Sequence, residues 1–226
     1  MSALTDIQTR IKNAAAIAGH NPADIRLIAV SKTRSLQAVK ALAAEGQIDF
    51  AENTVQDAET KTPFCNELSW HFIGHLQSNK TKYIPALFDW VHSIDSFKLV
   101  RRIDEAAREE GKKINILLQV NTAHDDNKAG IDPAQLFPLV EQILAASFEH
   151  ILVRGLMTIG RRHATPIQAR QTFIDLRNLM ETASIEFGHK YFSELSMGMS
   201  GDFEMAIEEG ATMVRIGTAL FGERKG

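Results

Sequence analysis

Ile114-Asn-Ile-Leu-Leu-Gln-Val-Asn121 is the stretch whose reading decides the fold. A strand with one wet face alternates apolar and polar residues. This run is nearly continuous in apolar residues, as a parallel strand covered on both faces should be. Parallel strands need crossover connections, so helices are expected on either side.

Outward from it the chain supplies them. Upstream, Phe97, Val100, Ile103 and Ala107 share one helical face between Ser96 and Gly111, preceded by a strand from Trp90 to Ile94. Earlier still come a helix from Leu76 to Tyr83 before Pro85, a strand from Trp70 to Gly74, and a polar helix holding Val55 and Ala58. A strand from Ile48 to Asn53, a helix with Leu36, Val39 and Ala43 closed by Gly46, and a strand from Ile25 to Lys32 precede these. Leu4, Ile7, Ile11, Ala14 and Ala18 form an opening amphipathic helix that Gly19 and Pro22 stop. Downstream, a helix runs from near Pro133 through Leu136, Val140, Ile143 and Leu144. A strand from Leu152 to Thr158, a long helix over Thr165 to Phe187 and a strand from Tyr191 to Gly198 follow. Gly201 to Glu209 reads as a short helix ended by Gly210, and Met213 to Phe221 as the eighth strand. Eight strands alternating with helices predict an α/β chain folded as a single (β/α)8 TIM barrel. Residues 1–226 are expected to form one domain. The extra N-terminal helix covers the gap left where the chain stops after strand eight.

Composition narrows the function. A net charge of −3 gives no reason to expect nucleic acid or a membrane surface as partner. The single cysteine, Cys65, excludes an intrachain disulfide framework and suits a reducing compartment. No charged partner is visible for it, so it reads as a bystander. No secretory signal and no apolar run of membrane-spanning length is present, so a cytoplasmic location is expected. The histidines show no metal-ligand spacing. His71 and His92 read as core, and His75, at the mouth, as either a ligand contact or loop packing.

In this barrel the active site lies at the C-terminal ends of the strands. Alternation puts Lys32 on the face of Ile28 and Val30, so its amine follows buried positions. Either it marks the strand's exit into solvent, or it meets a ligand as a desolvated amine able to form a Schiff base with a carbonyl. Asn53, the Gly74–Ser78 turn, Asn121, Met157, the turn Ser196-Met197-Gly198-Met199-Ser200, Arg215, Gly217 and Thr218 sit at the same end. Ser200 is a candidate N-cap of the short helix after it, and Gly217 lets backbone approach a phosphate. Loops after strands seven and eight are the usual phosphate cup. A lysine beside that cup suits pyridoxal 5′-phosphate (PLP), which carries an aldehyde and a phosphate, although a sugar phosphate fits the same cup. Arg215, on the face of Met213 and Gly217, either points into the mouth or pairs with a carboxylate such as Glu194. At a pyridine nitrogen it could only donate, leaving that nitrogen unprotonated.

Ala29-Val30-Ser31-Lys32-Thr33, Glu52-Asn53 with Val55-Gln56, and His71 to Lys80 carry a resemblance, as do Gly155-Leu156-Met157, Leu195 to Ser200 and Arg215-Ile216-Gly217-Thr218. Over nearly the whole chain this pattern resembles the PLP homeostasis proteins, which are similar to the N-terminal barrel of alanine racemase in the fold-type III class of PLP proteins. The resemblance implies that Lys32 carries PLP as a covalent Schiff base. It implies that Ser200, Gly217 and Thr218 hold the phosphate, with Ser196 and Met199 in the neighbouring turn. It implies further that Arg215 approaches the ring nitrogen and that Asn53 lies near the cofactor. Ala51, Thr54 and Gly201 depart from the family's usual glycine, tyrosine and aspartate, which puts rim contacts beside Asn53 in doubt.

Two functions follow from these expectations. One is a non-catalytic, reversible PLP carrier that limits free aldehyde and supplies apo-enzymes. The other is a PLP-dependent amino-acid racemase. Racemisation needs a second acid–base group, supplied in alanine racemase by a tyrosine from a second domain and subunit. Here Tyr83 is expected within a helix and Tyr191 at the wrong end of a strand, so the carrier is preferred and a monomer expected. A sugar-phosphate enzyme ranks last. Asp125, Asp126 and Lys128 form a polar loop that is either solvated or a hand-off station at which Lys128 accepts PLP transiently.

Overall fold

The computed structural model describes residues 2–223 apart from 124, 126–128 and 162. In chain order its elements are α1 (Ala3–Ala18), β1 (Arg26–Val30), α2 (Leu36–Ala44), β2 (Asp49–Glu52), α3 (Val55–Glu59), β3 (Ser69–Phe72), α4 (Ile84–Leu87) and β4 (Trp90–Ile94). They continue with α5 (Phe97–Glu110), β5 (Ile114–Gln119), α6 (Leu136–Ala145), β6 (Ile151–Met157), α7 (Pro166–Phe187), β7 (Glu194–Met199), α8 (Phe203–Glu208), β8 (Met213–Ile216) and α9 (Thr218–Phe221). The strands are parallel and pair in sequence order. β1 closes on β8 with Arg26 opposite Met213 and Ala29 opposite Ile216. This is the (β/α)8 barrel.

Local chemistry sets the helix ends. Ser2 caps α1 by accepting from the Thr5 amide, and Gly19 ends it in the left-handed region. Thr165 and Gln168 form a reciprocal capping box on α7, with Pro166 in its first turn. α1 packs against α8 and α9, covering the barrel where the eighth crossover would lie.

Several boundaries differ from the sequence reading, three of them with a clear physical reason or a bearing on the site. The helix expected over Leu76 to Tyr83 shortens to a 3-10 helix over Thr81–Tyr83, residues 76–80 are loop, and Pro85 lies in the first turn of α4, where its missing N–H costs nothing. The apolar run after Met213 divides, with a strand to Ile216, a bend at Gly217 and the helical turn α9. Periodicity cannot separate a short buried strand from a short buried helix. Ser200 is not the cap of α8; Asp202 precedes that helix.

Two apolar compartments result. The larger lies between strands and helices and includes Phe72, Phe173, Phe203 and Ile103. The smaller fills the barrel and includes Ile28, Val30, Ala51, Trp90, Leu117, Met157 and Met213. Trp90 and His92 face inward as alternation predicts. Ile94 joins the outer compartment because the β4–β5 register shifts between Val91 and Ile94.

Candidate functional site

Lys32 sits just past β1. The Ser31 amide still donates to the Ala51 carbonyl, and the Arg34 amide turns back onto the Ser31 carbonyl at 3.0 Å. Lys32 and Thr33 are therefore the two corners of a tight turn. Thr33 holds φ at 63°, a conformation a β-branched residue rarely adopts. A buried cluster anchors the turn from below. Lys61 Nζ donates to the Ser31 carbonyl at 2.9 Å and to Glu52 Oε1 at 2.7 Å, and Ser31 Oγ donates to the same oxygen at 2.6 Å. Glu52 is fully buried, and burial pushes its carboxyl above the ordinary range against the opposing pull of Lys61 and Ser31.

Above the turn, at the C-terminal strand ends, a cavity of about 360 Å3 is lined by Lys32, Asn53, Met199, Ser200, Arg215, Gly217 and Thr218, with Val30, Ile73 and Ile159 as its apolar wall. Seven of the expected residues are thus brought together. Ser196 is not on that wall. It is fully buried a step deeper, where its hydroxyl meets Arg215 and His92. Ile73 and Ile159 were not singled out, although alternation from His71 and Met157 points at them. Lys61 had no local signal, because its partners come from two strands.

Each wall has a physical cause. Ser200 Oγ accepts from the amides of Gly217 at 3.3 Å and Ala219 at 3.5 Å, so two backbone donors from the end of β8 converge on one point. A Cβ on Gly217 would lie 3.3 Å from the Val30 carbonyl oxygen, so a side chain there would crowd β1. Asn53 Oδ1 is buried and has no hydrogen-bond partner. Its backbone fixes Gly74, whose Cβ would fall 1.9 Å from the Asn53 carbonyl oxygen.

Arg215 lies at the floor, 4% exposed, donating to Ser196 Oγ at 2.6 Å and to the Thr158 carbonyl at 2.9 Å. Desolvation lowers its guanidinium to about 10, still cationic at neutral pH. Glu194 is not its partner; that carboxylate accepts from Thr212 Oγ1 at 2.7 Å. His92 Nδ1 meets Ser196 Oγ at 2.9 Å, His92 Nε2 meets His71 Nδ1 at 2.9 Å, and His71 Nε2 meets Asp49 Oδ1 at 2.9 Å. Both rings are buried core residues, as expected, and desolvation holds both below the ordinary imidazole range.

Other candidates lie elsewhere. His75 is exposed on the rim and borders neighbouring clefts with Gln77 rather than the Lys32 cavity. Met157 is buried inside the barrel, and Asn121 Nδ2 donates to the Asp125 carbonyl. Lys128 and Asp126 lie outside the described residues. Cys65 is buried, and desolvation raises its thiol. No described helix is long and apolar enough to cross a membrane.

Residues 3–225 match the family described as alanine racemase, N-terminal domain. A pyridoxal phosphate homeostasis protein of Pseudomonas aeruginosa is 41% identical over 223 residues, covering 98% of this chain and 94% of that protein. The structure of PipY from Synechococcus elongatus PCC7942 with PLP bound superposes with a TM-score of 0.82 at 36% identity, covering 94% of this chain and 100% of that one. Alanine racemase of Clostridium difficile 630 superposes with a TM-score of 0.77 at 17% identity, covering 96% of this chain but 56% of the racemase, a likeness of fold alone.

Proposed function

This chain belongs to the alanine racemase N-terminal domain family, and on that premise, with its similarity to pyridoxal phosphate homeostasis proteins, we propose that it binds PLP reversibly at Lys32 and serves PLP homeostasis. The observation that carries the reading is the cavity itself, with an amine on one wall and, on another, the Ser200 hydroxyl on which two backbone amides converge.

The residues present fit the group. PLP supplies an aldehyde that condenses reversibly with a primary amine, together with a phosphate and a pyridine ring. Ser200 Oγ accepts from the Gly217 and Ala219 amides, which leaves its O–H to donate to a phosphate, and Thr218 adds a hydroxyl beside it. Asn53 Oδ1, buried without a partner, is an acceptor awaiting a polar group. Val30, Ile73 and Ile159 give the apolar wall a flat ring requires. Arg215 at the floor donates only, so it favours an unprotonated ring nitrogen and a weaker electron sink.

Carriage rather than catalysis is the function this supports. Among the described residues lining the cavity, Lys32 and Arg215 are the only side chains with an ionisable head, and no tyrosine, histidine or carboxylate joins them. Tyr83 ends a short 3-10 helix, Thr81–Tyr83, ahead of α4, and Tyr191 precedes β7 at the N-terminal side; neither lines the cavity. A racemase needs a second acid–base group across the ring. Apo-enzymes that need PLP are the recipients this implies, and the carrier acts as a monomer in the cytoplasm.

The test is reduction with borohydride after PLP addition, followed by peptide mass mapping, beside visible spectra of wild type and Lys32→Ala. A phosphopyridoxyl group confined to Lys32, with the visible band lost in the variant, is expected. Label on other lysines alone would overturn the assignment. Amino acids that exchange their Cα hydrogen in the wild type but not the variant would replace the carrier with an enzyme.

A further inference from the structure

A buried polar file runs the length of the barrel interior, and PLP carriage does not by itself account for it. It links Asp49, at the start of β2, to Arg215, at the cavity floor, through His71, His92 and Ser196. Its contacts measure 2.9, 2.9, 2.9 and 2.6 Å. His71, His92 and Ser196 are fully buried, whereas the Asp49 side chain is 20% exposed. One end of the file reaches solvent and the other reaches the cavity.

Donor–acceptor chemistry fixes its direction. Arg215 can only donate, so Ser196 Oγ accepts from it. The single Ser196 proton is then free for His92 Nδ1, which accepts it. A neutral imidazole with one nitrogen accepting has the other donating, so His92 Nε2–H points at His71 Nδ1. By the same rule His71 Nε2–H points at the Asp49 carboxylate, which can only accept. The two ends impose the same direction independently, and every link is satisfied.

We propose that this one-way file makes Asp49 the counter-charge of Arg215 across the barrel, and that Asp49, His71, His92 and Ser196 are positioning residues for the arginine beneath the cofactor ring. A buried guanidinium without a compensating anion is costly, and no carboxylate touches Arg215. Bonds aligned head to tail polarise one another, which carries the carboxylate's influence inward. Packing alone does not require such a file, since an apolar filling of the same shape serves a core equally well.

Other charges surround it. Arg26 lies 3.8 Å from Asp49 with its guanidinium over the Trp90 ring, and Asp89 acts on His71. Asp202 acts on Arg215 from the α8 side, and Lys32 shares the cavity with it. The rival counter-charge is therefore Asp202.

The first test needs no cofactor. Long-range proton–nitrogen correlation spectra of the full chain with nitrogen-15 histidine, recorded before PLP addition, should show His71 and His92 as neutral Nε2–H tautomers from pH 8 down to below the ordinary imidazole range. An Nδ1–H tautomer in either ring, or titration near 6.5, would overturn the file. The second test uses Asp49→Asn, whose amide oxygen still accepts from His71 but carries no charge. The pH midpoint of the visible band of bound PLP should fall by about half a unit, the order Coulomb's law gives for a unit charge removed several hydrogen-bonded links away in protein. The sign is downward because Arg215 is left less compensated and disfavours a proton on the bound cofactor. Ser196→Ala should lower the midpoint at least as far, and Ser196→Thr, which keeps the hydroxyl, should restore it. A midpoint unmoved in Asp49→Asn but lowered in Asp202→Asn would assign the counter-charge to Asp202 and refute the proposal. The second test rests on PLP binding at Lys32. Absence of the visible band would sink that reading and leave the tautomers to decide the file, whereas wrong tautomers with Lys32 labelled would sink the file alone.

Discussion

The barrel has two interiors, and they are built on opposite principles. The compartment between strands and helices is filled by residues such as Phe72, Phe173 and Ile103, which need nothing from one another but shape. The compartment inside the strands mixes a small apolar set with His71, His92, Ser196 and Arg215, each with hydrogen-bond partners of its own. The outer compartment supplies burial energy that any similar set of side chains would supply. The inner one, with the Glu52–Lys61 cluster at its rim, places an amine, Lys32, and a guanidinium, Arg215, at defined heights. The difference teaches that stability and site geometry draw on different residues.

The largest effects should separate the two. Phe173→Ala, in the outer compartment, should cost about 3–5 kcal/mol in urea unfolding and leave the visible band of bound PLP where it was. Lys61→Met should cost a similar ~3–5 kcal/mol near neutral pH, because it leaves a buried carboxylate without its cation. Adding Glu52→Gln should recover most of that loss. The pH dependence has a definite sign. The Glu52 carboxyl is raised in the folded state by burial, so its contribution is largest below the ordinary carboxylate range and declines as pH rises through its folded value. Glu52→Gln should flatten that decline. If Glu52→Gln recovers nothing, Lys61 acts by packing its stem, and the two regions differ less than the cluster suggests.

What could be read in advance divides along the same line. The outer compartment was legible because it obeys periodicity. The faces of α1 and α5 and the existence of eight strands follow from spacing, although spacing alone extends the eighth to Phe221. The inward faces of Lys32 and Arg215 were legible for the same reason, and Asn53 falls at the expected end of its strand. The height of a residue was not. Ser196 and Arg215 were expected on one mouth, yet the β7–β8 register shifts between Ser196 and Met199, leaving Ser196 a step below the cavity. His71 and His92 each read as an isolated core histidine, because a contact between strands is a property of register that neither strand shows alone. Lys61 reaches Glu52 and Ser31 from the turn after α3, and nothing in its neighbours' sequence marks it.

A smaller effect belongs to the histidines. Both rings are lowered by burial, so they are neutral when folded, and unfolded rings bind protons near the ordinary imidazole value. Their contribution is therefore present above about 6.5 and lost as pH falls below it, at up to about 1.4 kcal/mol per pH unit for each ring. His92→Gln should lower stability at neutral pH but shrink this slope by about one proton between pH 5 and 6.5. Phe173→Ala should lower stability at every pH and keep the slope. Equal slopes in all three proteins would mean that the rings protonate without unfolding, and the inner compartment would be softer than its hydrogen bonds imply.

The smallest expected change in stability falls on Thr33, where the two regions meet. A β-branched residue at φ 63° carries strain on the order of 1–3 kcal/mol, whereas glycine adopts that conformation freely. Glycine also enlarges the freedom of the unfolded chain, which offsets roughly 0.5–1 kcal/mol of the relief. Thr33→Gly should therefore leave the melting temperature unchanged or slightly raised. Its effect on PLP should be opposite in sense. Thr33 is the second corner of the turn that presents Lys32, and the first is held by Ser31, Lys61 and Glu52. With glycine at the second corner the turn has more conformations available, and the amine spends less time over the cavity. PLP titration followed in the visible band should show affinity reduced several-fold in a protein no less stable than wild type. Were affinity to hold while stability rose, the strain would be incidental to Lys32, and the rigid presentation of the amine would rest on the buried cluster beneath it alone.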